Sequence, residues 1–152
     1  MGARKEPELE ARLIRTVPRL MRHLLAHARR KPAWAEMTYQ QYNVLRIVDG
    51  EGPTAQAEIA RRLLVSAPVV TRLASALVEA GLIERGGDPK DKRSVILHLT
   101  DEGQRRSTQM RRELLGAAGE LLEPLPEEQR AAVAQAIEEL EVLLPGYRSG
   151  AR

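Results

Sequence analysis

The amino-acid sequence predicts a mainly α-helical fold with a small β-hairpin. Phe is absent and aromatic residues make up only 3% of the chain, so the core must be built from Leu, Val, Ile and Ala. Ala and Leu are strong helix formers, and apolar residues recur at helical spacing along most of the sequence. In residues 94–99, Val95, Leu97 and Leu99 fall on one face of a strand and Ile96 and His98 fall on the other.

The predicted first helix, at about 8–31, has a wider apolar face than one packing partner requires. Two stripes follow the helical period, one through Leu9, Leu13, Val17, Leu20 and Leu24, and one through Ile14, Met21, Leu25 and Ala28. A helix with two such stripes often packs both on its own domain and on a second subunit. We therefore expect a dimerisation helix; the alternative is a fully buried helix in a monomer.

Three helices are predicted between the first helix and the hairpin. The first of them begins after Thr38, because Gln41 stands three residues later and completes a capping box. Two shorter helices follow, at about 55–63 and 66–80. The hydroxyl of Ser66 is a suitable cap for the second short helix.

The hairpin is predicted from two short strand-like stretches, 82–85 and 94–99, which enclose a turn-rich charged loop. Between positions 85 and 93 the chain has four basic residues and two acidic ones. Thr100 can cap a long helix that continues to about residue 123, and a last helix spans about 126–144. We expect the segment 101–144 to complete the dimer interface that begins with the first helix.

Two short helices, a tight link and a two-stranded hairpin, together at about 38–100, form the pattern of a winged helix-turn-helix. In such proteins the second helix enters the major groove of DNA and its first residues reach base edges. Thr71 and Arg72 can bond a base or a phosphate there. A basic hairpin tip fits a minor groove, although alone it could be a solvated loop. The chain, 1–152, is therefore predicted to be a single domain that binds duplex DNA.

Six short motifs occur in a fixed order between Met37 and Gly103. They are MTYQQYNVL (37–45), EIARRL (58–63), VTRL (70–73), LVEAGLIER (77–85), DKRS (91–94) and LHLTDEG (97–103). In this order and at these spacings, they resemble the MarR (multiple antibiotic resistance regulator) family of winged helix-turn-helix transcription regulators.

The resemblance implies a homodimeric regulator, a repressor that binds an inverted-repeat operator and is released by a small aromatic or phenolic ligand. It implies a salt bridge from Asp91 that orients Arg93 in the wing. Ala55 stands where relatives often have a capping Thr or Ser, so Thr54 is expected to cap one position early. The implied DNA-binding residues are Thr54, Gln56, Ser66, Ala67, Pro68, Thr71, Arg72, Ser75, Lys90, Asp91, Lys92 and Arg93.

Five residues are candidates for contact with the small ligand: His23, His27, Trp34, Tyr39 and Tyr42. The two histidines are four residues apart, which also suits a metal pair, but no Cys and no H-E-x-x-H motif accompanies them. We therefore expect no metal site and favour a ligand cleft or a half-exposed helix face. For the three aromatic residues, the favoured alternative is packing in the core and the interface.

Several classes of protein are disfavoured by what the sequence lacks. It has no Cys, no G-x-S-x-G, no P-loop and no Gly-rich dinucleotide motif, so we expect neither an enzyme nor a cofactor. No apolar run approaches the ~18 residues of a membrane span, and we expect a cytoplasmic protein with no membrane partner. A winged-helix protein-interaction module and a metal-responsive regulator remain as alternatives.

Overall fold

The computed structural model describes residues 8–144, and these form six α-helices, a short 3₁₀ helix and a three-stranded antiparallel sheet. The helices are α1 (Glu8–Ala28), the 3₁₀ helix (Pro32–Trp34), α2 (Tyr39–Glu51), α3 (Gln56–Leu63), α4 (Ala67–Glu79), α5 (Asp101–Leu122) and α6 (Glu127–Leu143). The strands are β1 (Thr54–Ala55), β2 (Ile83–Gly87) and β3 (Val95–Leu99). The predicted mainly helical fold with a β-hairpin wing is confirmed; residues 1–7 and 145–152 of the predicted domain lie outside the described residues.

The sheet has the strand order β1-β3-β2, and it contains one strand that the sequence did not predict. Strands β2 and β3 form the expected hairpin, with Ile83 opposite Leu99 at its base. Strand β1 is only two residues long and pairs with β3, so that Thr54 stands opposite Leu97. Two residues are too few to show the alternation by which strands are predicted. This pairing attaches the start of α3 to the wing.

Two of the predicted helix caps are confirmed. At the start of α2, the Gln41 N–H donates to Thr38 Oγ1 (3.1 Å) and the Thr38 N–H donates to Gln41 Oε1 (2.8 Å), which completes the capping box. At the start of α5, the Gly103 N–H donates to Thr100 Oγ1 at 3.0 Å.

The other two predicted caps are wrong in their side-chain chemistry. Ser66 occupies the capping position of α4 but its hydroxyl makes no capping hydrogen bond. Thr54 lies one residue before the true capping position of α3, which is Ala55, because pairing with β3 holds Thr54 in a strand. The Thr54 hydroxyl donates instead to the Gly52 carbonyl at 2.8 Å.

One apolar core joins the winged lobe to α5. Leu45 of α2, Ile59 of α3 and Leu77 of α4 are fully buried, as are Leu97 of the wing and Met110 of α5. Because α5 supplies a core residue and packs on β3, the wing rests on the same long helix that packs against α1 and α2.

The terminal helices expose much of their apolar surface. On α1 the exposed residues are Leu9, Leu13, Ile14, Val17 and Leu20, and on α6, which buries no residue, they are Ile137, Leu140, Val142 and Leu143. Nothing within residues 8–144 covers the surplus apolar face that the sequence predicted. Among residues 8–144, no helix is long and apolar enough to cross a membrane.

Candidate DNA-binding surface

Helix α4 presents the predicted DNA-reading residues to solvent. Its apolar side, which includes Val70 and Leu73, is buried against the core. The opposite side therefore faces outward, and the exposed positions there and at the helix start are Ser66, Ala67, Pro68, Thr71 and Arg72. The side chains at the helix start, Ser66, Ala67 and Pro68, are small, so DNA can approach this end of α4 closely.

The turn between α3 and α4 depends on Leu64, which has an uncommon backbone conformation. Its φ is 54° and its ψ 43°, in the left-handed region, and its side chain is 92% exposed. The reversal of the chain there lets the Val65 N–H donate to the Ala60 carbonyl at 3.1 Å. This short turn brings the starts of α3 and α4 onto one surface.

A hydrogen bond joins the two helices on that surface. The Thr71 hydroxyl lies 3.1 Å from the Ala67 carbonyl and 3.3 Å from Gln56 Oε1, and its single proton is shared between these two acceptors. With the amide oxygen of Gln56 turned to Thr71, its NH₂ group bonds no other described residue. That NH₂ group is a donor suited to a phosphate oxygen.

The wing tip is shaped by two aspartates that bond to backbone. Asp88 Oδ1 accepts from the Lys90 N–H at 2.8 Å, and Asp91 Oδ1 accepts from the Arg93 N–H at 3.0 Å. The predicted salt bridge between Asp91 and Arg93 is wrong, because the aspartate bonds the main chain two residues on, as in an Asx turn. Asp91 therefore shapes the loop, and the side chains of Lys90, Lys92 and Arg93 are exposed without a partner among residues 8–144.

Arg85 does not belong to the basic wing tip, although the sequence count placed it there. It lies in β2 opposite Leu97, and its Nη2 donates to the Thr71 carbonyl (3.1 Å) and to Ser75 Oγ (2.8 Å). Sequence reasoning missed this contact because it joins residues ten and fourteen positions apart in different elements. Ser75, a predicted DNA contact, is thus bonded within the protein.

Thr54 differs from the other predicted contact residues because it is 6% exposed. Its hydroxyl is held by the Gly52 carbonyl, and its backbone pairs with the wing. A direct DNA contact requires accessibility that Thr54 lacks, so we place it among the residues that support the surface.

The two arginines of α3 are paired with Glu58 of the same helix and with Glu51 at the end of α2. Hydrogen bonds from Arg61 and Arg62 lower the pKa of Glu58 to about 2. Arg62 Nη1 also lies 2.9 Å from Glu51 Oε1, which links α3 to the end of α2. Positive charge on the candidate surface therefore comes chiefly from α4 and the wing.

The three candidate aromatic residues form a packed cluster. The ring centroids of Trp34 and Tyr42 are 5.1 Å apart, and those of Tyr39 and Tyr42 are 6.1 Å apart. The Trp34 indole N–H donates to the Met110 carbonyl at 3.2 Å, and burial raises the pKa of Tyr42. These contacts are those of core packing, the alternative that the sequence favoured.

The two candidate histidines have different surroundings. His27 Nε2 lies 3.0 Å from Glu120 Oε2 of α5. His23 lines an open cavity of about 550 Å³ between α1 and α5, together with Thr16, Arg19, Leu20, Arg22 and Leu121. Among residues 8–144 there is no group of three or more His, Asp or Glu side chains placed to hold a metal ion.

Comparison with known proteins gives a consistent result in sequence and in structure. Residues 35–94 match the sequence profile of the MarR family. The uncharacterized HTH-type transcriptional regulator YkoM of Bacillus subtilis (strain 168) is 33% identical over 99 residues, which are 65% of this chain and 64% of YkoM. The matches span between 40% and 64% of the length of the first curated relatives.

Solved structures resemble nearly the whole chain. The YusO protein from Bacillus subtilis is 25% identical with a TM-score of 0.68, and the similarity covers 90% of this chain and 97% of YusO. NadR in complex with 4-hydroxyphenylacetate has a TM-score of 0.69 at 23% identity, covering 92% of this chain and 97% of NadR. The identity to NadR is low enough that this likeness concerns the fold alone.

Proposed function

This chain belongs to the MarR family, and from that premise we propose that it is a transcription regulator that binds duplex DNA in a sequence-specific manner. The observation that carries the proposal is the surface on which Thr71 and Arg72 of α4 stand beside a wing whose three basic side chains have no partner in the described part of the chain. A family of transcription regulators also disfavours an enzyme.

Each part of the surface has its own task in the proposed complex. The start of α4 enters the major groove, where Arg72 bonds guanine or phosphate and Thr71 meets a base edge. Lys92 and Arg93 in the wing bind the narrow, electronegative minor groove or its phosphates. The NH₂ group of Gln56 donates to a phosphate, which sets the position of α3 without reading sequence.

The second partner in the proposal is another copy of the same chain. Large apolar residues of α1 and α6 are exposed to solvent; Ile14 is 71% exposed and Ile137 is 50% exposed. Burial of these residues against a partner would be favourable. A twofold dimer buries both helices with one self-complementary surface. Its two recognition helices then read an inverted repeat, with half-site centres about 10 base pairs apart.

A small aromatic acid is the proposed effector that releases DNA. The cavity between α1 and α5 combines the cations Arg19 and Arg22 and the imidazole of His23 with apolar Leu20 and Leu121. A guanidinium suits a carboxylate, and the leucines suit a ring. NadR, which is similar to this chain in fold, was solved with 4-hydroxyphenylacetate, a ligand of this chemical class. Release of DNA would make the protein a repressor.

Selection of bound duplexes from a random DNA pool tests the proposal and yields the operator. We expect an inverted repeat, with affinity that falls steeply as salt rises because several phosphates are neutralised. A matched variant with Lys90, Lys92 and Arg93 changed to Met should bind the same repeat more weakly and with a shallower salt dependence. Enrichment of no sequence, with no salt-dependent binding to any duplex, would favour a protein-interaction module instead.

A further inference from the structure

We propose that Arg85 is a positioning residue that fixes the recognition helix α4 relative to the wing, an inference that rests on the proposed function. Its Nη2 donates to Ser75 Oγ at 2.8 Å and to the Thr71 carbonyl at 3.1 Å. Among residues 8–144, no other hydrogen bond links strand β2 or β3 to α4.

The two acceptors of Arg85, the Thr71 carbonyl and the Ser75 hydroxyl oxygen, are both free to accept from its guanidinium. The Ser75 hydroxyl donates its proton to the Thr71 carbonyl at 2.9 Å, which leaves its oxygen to accept from Arg85. Hydrogen bonds from a charged donor are stronger than neutral ones. One donor that bonds two acceptors in the same helical turn restrains the rotation of α4 as well as its distance from the wing.

The residue held by Arg85 is one proposed to read bases. Thr71 is bonded from the wing side at its carbonyl, by Arg85, and from the α3 side at its hydroxyl, by Gln56. Three elements of the winged lobe therefore meet at Thr71. A shift of α4 against the wing moves Thr71 and the neighbouring Arg72 relative to the bases while the wing remains on its groove.

Because Arg85 is exposed, its loss should affect the orientation of α4 more than the stability of the fold. Exposed polar contacts contribute little to global stability, and the wing base is already anchored in the core by Ile83, which is 1% exposed. Loss of Arg85 should therefore leave the fold intact and change the angle at which α4 is presented. The competing explanation is that Arg85 itself contacts a phosphate, and this predicts an equal loss for every DNA sequence.

Two variants separate these explanations. Arg85→Lys keeps the charge but ends in a compact ammonium on a shorter side chain, which lacks the reach of the Nη2 nitrogen that bonds both acceptors. Ser75→Ala removes one of the two acceptors. Binding is measured for the selected operator and for a scrambled duplex of equal length and composition. We expect each variant to lose about tenfold in operator affinity, the effect of one charge-assisted hydrogen bond, with unchanged scrambled-duplex affinity and salt slope.

The double variant, Arg85→Lys with Ser75→Ala, should bind the operator no more weakly than Arg85→Lys alone, because Arg85→Lys already removes the contact that Ser75→Ala removes. Arg105→Lys is the matched control, since Arg105 is exposed and its one side-chain partner within residues 8–144 is Glu102 of its own helix. This variant should bind both duplexes normally. Multiplied losses in the double variant, or equal losses on both duplexes, would overturn the proposal.

A measurement without DNA keeps the proposal testable if no duplex binds or if a variant folds poorly. Residual dipolar couplings of backbone amides report the orientation of α4 relative to β2 and β3. We expect that orientation to change in Arg85→Lys and in Ser75→Ala, and not in Arg105→Lys. Unchanged couplings in a folded Ser75→Ala variant would show that the contact positions nothing, whereas absence of DNA binding by the unmodified chain would refute only the proposed function.

Discussion

Gly103 lies so close to the carbonyl group of Leu82 that a β-carbon at position 103 would stand 2.9 Å from the carbonyl carbon and nearer still to its oxygen. The same carbonyl accepts the Thr100 N–H at 3.1 Å. The start of α5 therefore rests directly on the link between α4 and β2. A side chain on Gly103 would separate the two.

Gly103→Ala should lower the free energy of unfolding by at least the ~1–3 kcal/mol typical of overpacking, because the obstructing atoms are backbone and cannot move aside. Urea unfolding at fixed protein concentration measures the change. Gly116→Ala in the same helix is the control, since nothing lies within 4 Å of its added β-carbon, and it should be neutral or stabilising. Equal stability of both variants would show that α5 can slide away from Leu82.

Leu64→Asn should stabilise the protein by about 1 kcal/mol, because Asn tolerates the left-handed backbone that Leu64 adopts and Leu does not. The exposed leucine side chain loses almost no buried surface in the exchange. Leu64→Ala removes the same exposed side chain, but its β-carbon is still strained in the left-handed backbone. It should therefore change the free energy of unfolding little. A result in which Ala stabilises as much as Asn would place the cause in the exposed side chain rather than in the backbone.

The Glu58 cluster should make stability depend on pH. The pKa of Glu58 is about 2 in the folded chain, lowered from its ordinary 4.5 by hydrogen bonds from Arg61 and Arg62. A carboxylate with a lowered folded pKa stabilises the fold fully above its unfolded pKa, and this contribution is lost as pH falls toward the folded value.

Glu58→Gln should therefore be less stable than the unmodified chain above pH 5, and the difference should vanish as pH approaches 2. Stability curves at several pH values check this, and the difference should shrink at high salt because the pair is exposed. Glu79→Gln, at an exposed position without a partner among residues 8–144, serves as the control. A difference that stays constant with pH would mean that Glu58 acts through packing.

Arg93→Ala should weaken operator binding by about 1–3 kcal/mol, as expected for an arginine at a base edge or in a narrow groove. The fold and the dimer should be unaffected, because the side chain is exposed and bonds no described residue. Titration of the selected duplex measures the loss. Unchanged affinity would remove the wing tip from the DNA contact.

Sedimentation at micromolar concentration should show a twofold dimer. Ile14→Glu, at a residue 71% exposed on α1, should shift it toward monomer because a charge would be buried in the interface. Val95→Glu, at a wing residue 38% exposed, is the control and should leave the mass unchanged. A monomeric unmodified chain would contradict the proposed dimer.

What the sequence could predict was local. Thr38 and Gln41 signal a capping box within three residues, and Val95, Leu97 and Leu99 recur at strand spacing in the second hairpin strand; the capping box and this strand are both confirmed. The position of α4 and its exposed Thr71 also follow from periodicity, because the buried residues of a helix determine which side remains outside.

What it could not predict depends on contacts between distant elements. Strand β1 exists only because Leu97 of β3 lies opposite Thr54, and that pairing also turned a predicted cap into a strand residue. Arg85 was counted with the wing tip because its acceptors on α4 are invisible from its own neighbourhood. For Asp91 we expect a salt bridge to Arg93 from the resemblance, but its carboxylate bonds the Arg93 backbone N–H. A short aspartate side chain reaches nearby backbone more easily than it reaches a guanidinium that points into solvent.

Trp34 is the single tryptophan of the chain, and it is 2% exposed where the 3₁₀ helix meets α2 and α5. Its indole N–H bonds the Met110 carbonyl. Any rearrangement that parts the DNA-binding lobe from α5 must exchange that carbonyl for water and move the ring into a more polar setting. The protein therefore has a built-in optical reporter: a red shift of tryptophan emission would register opening of this joint without an added label.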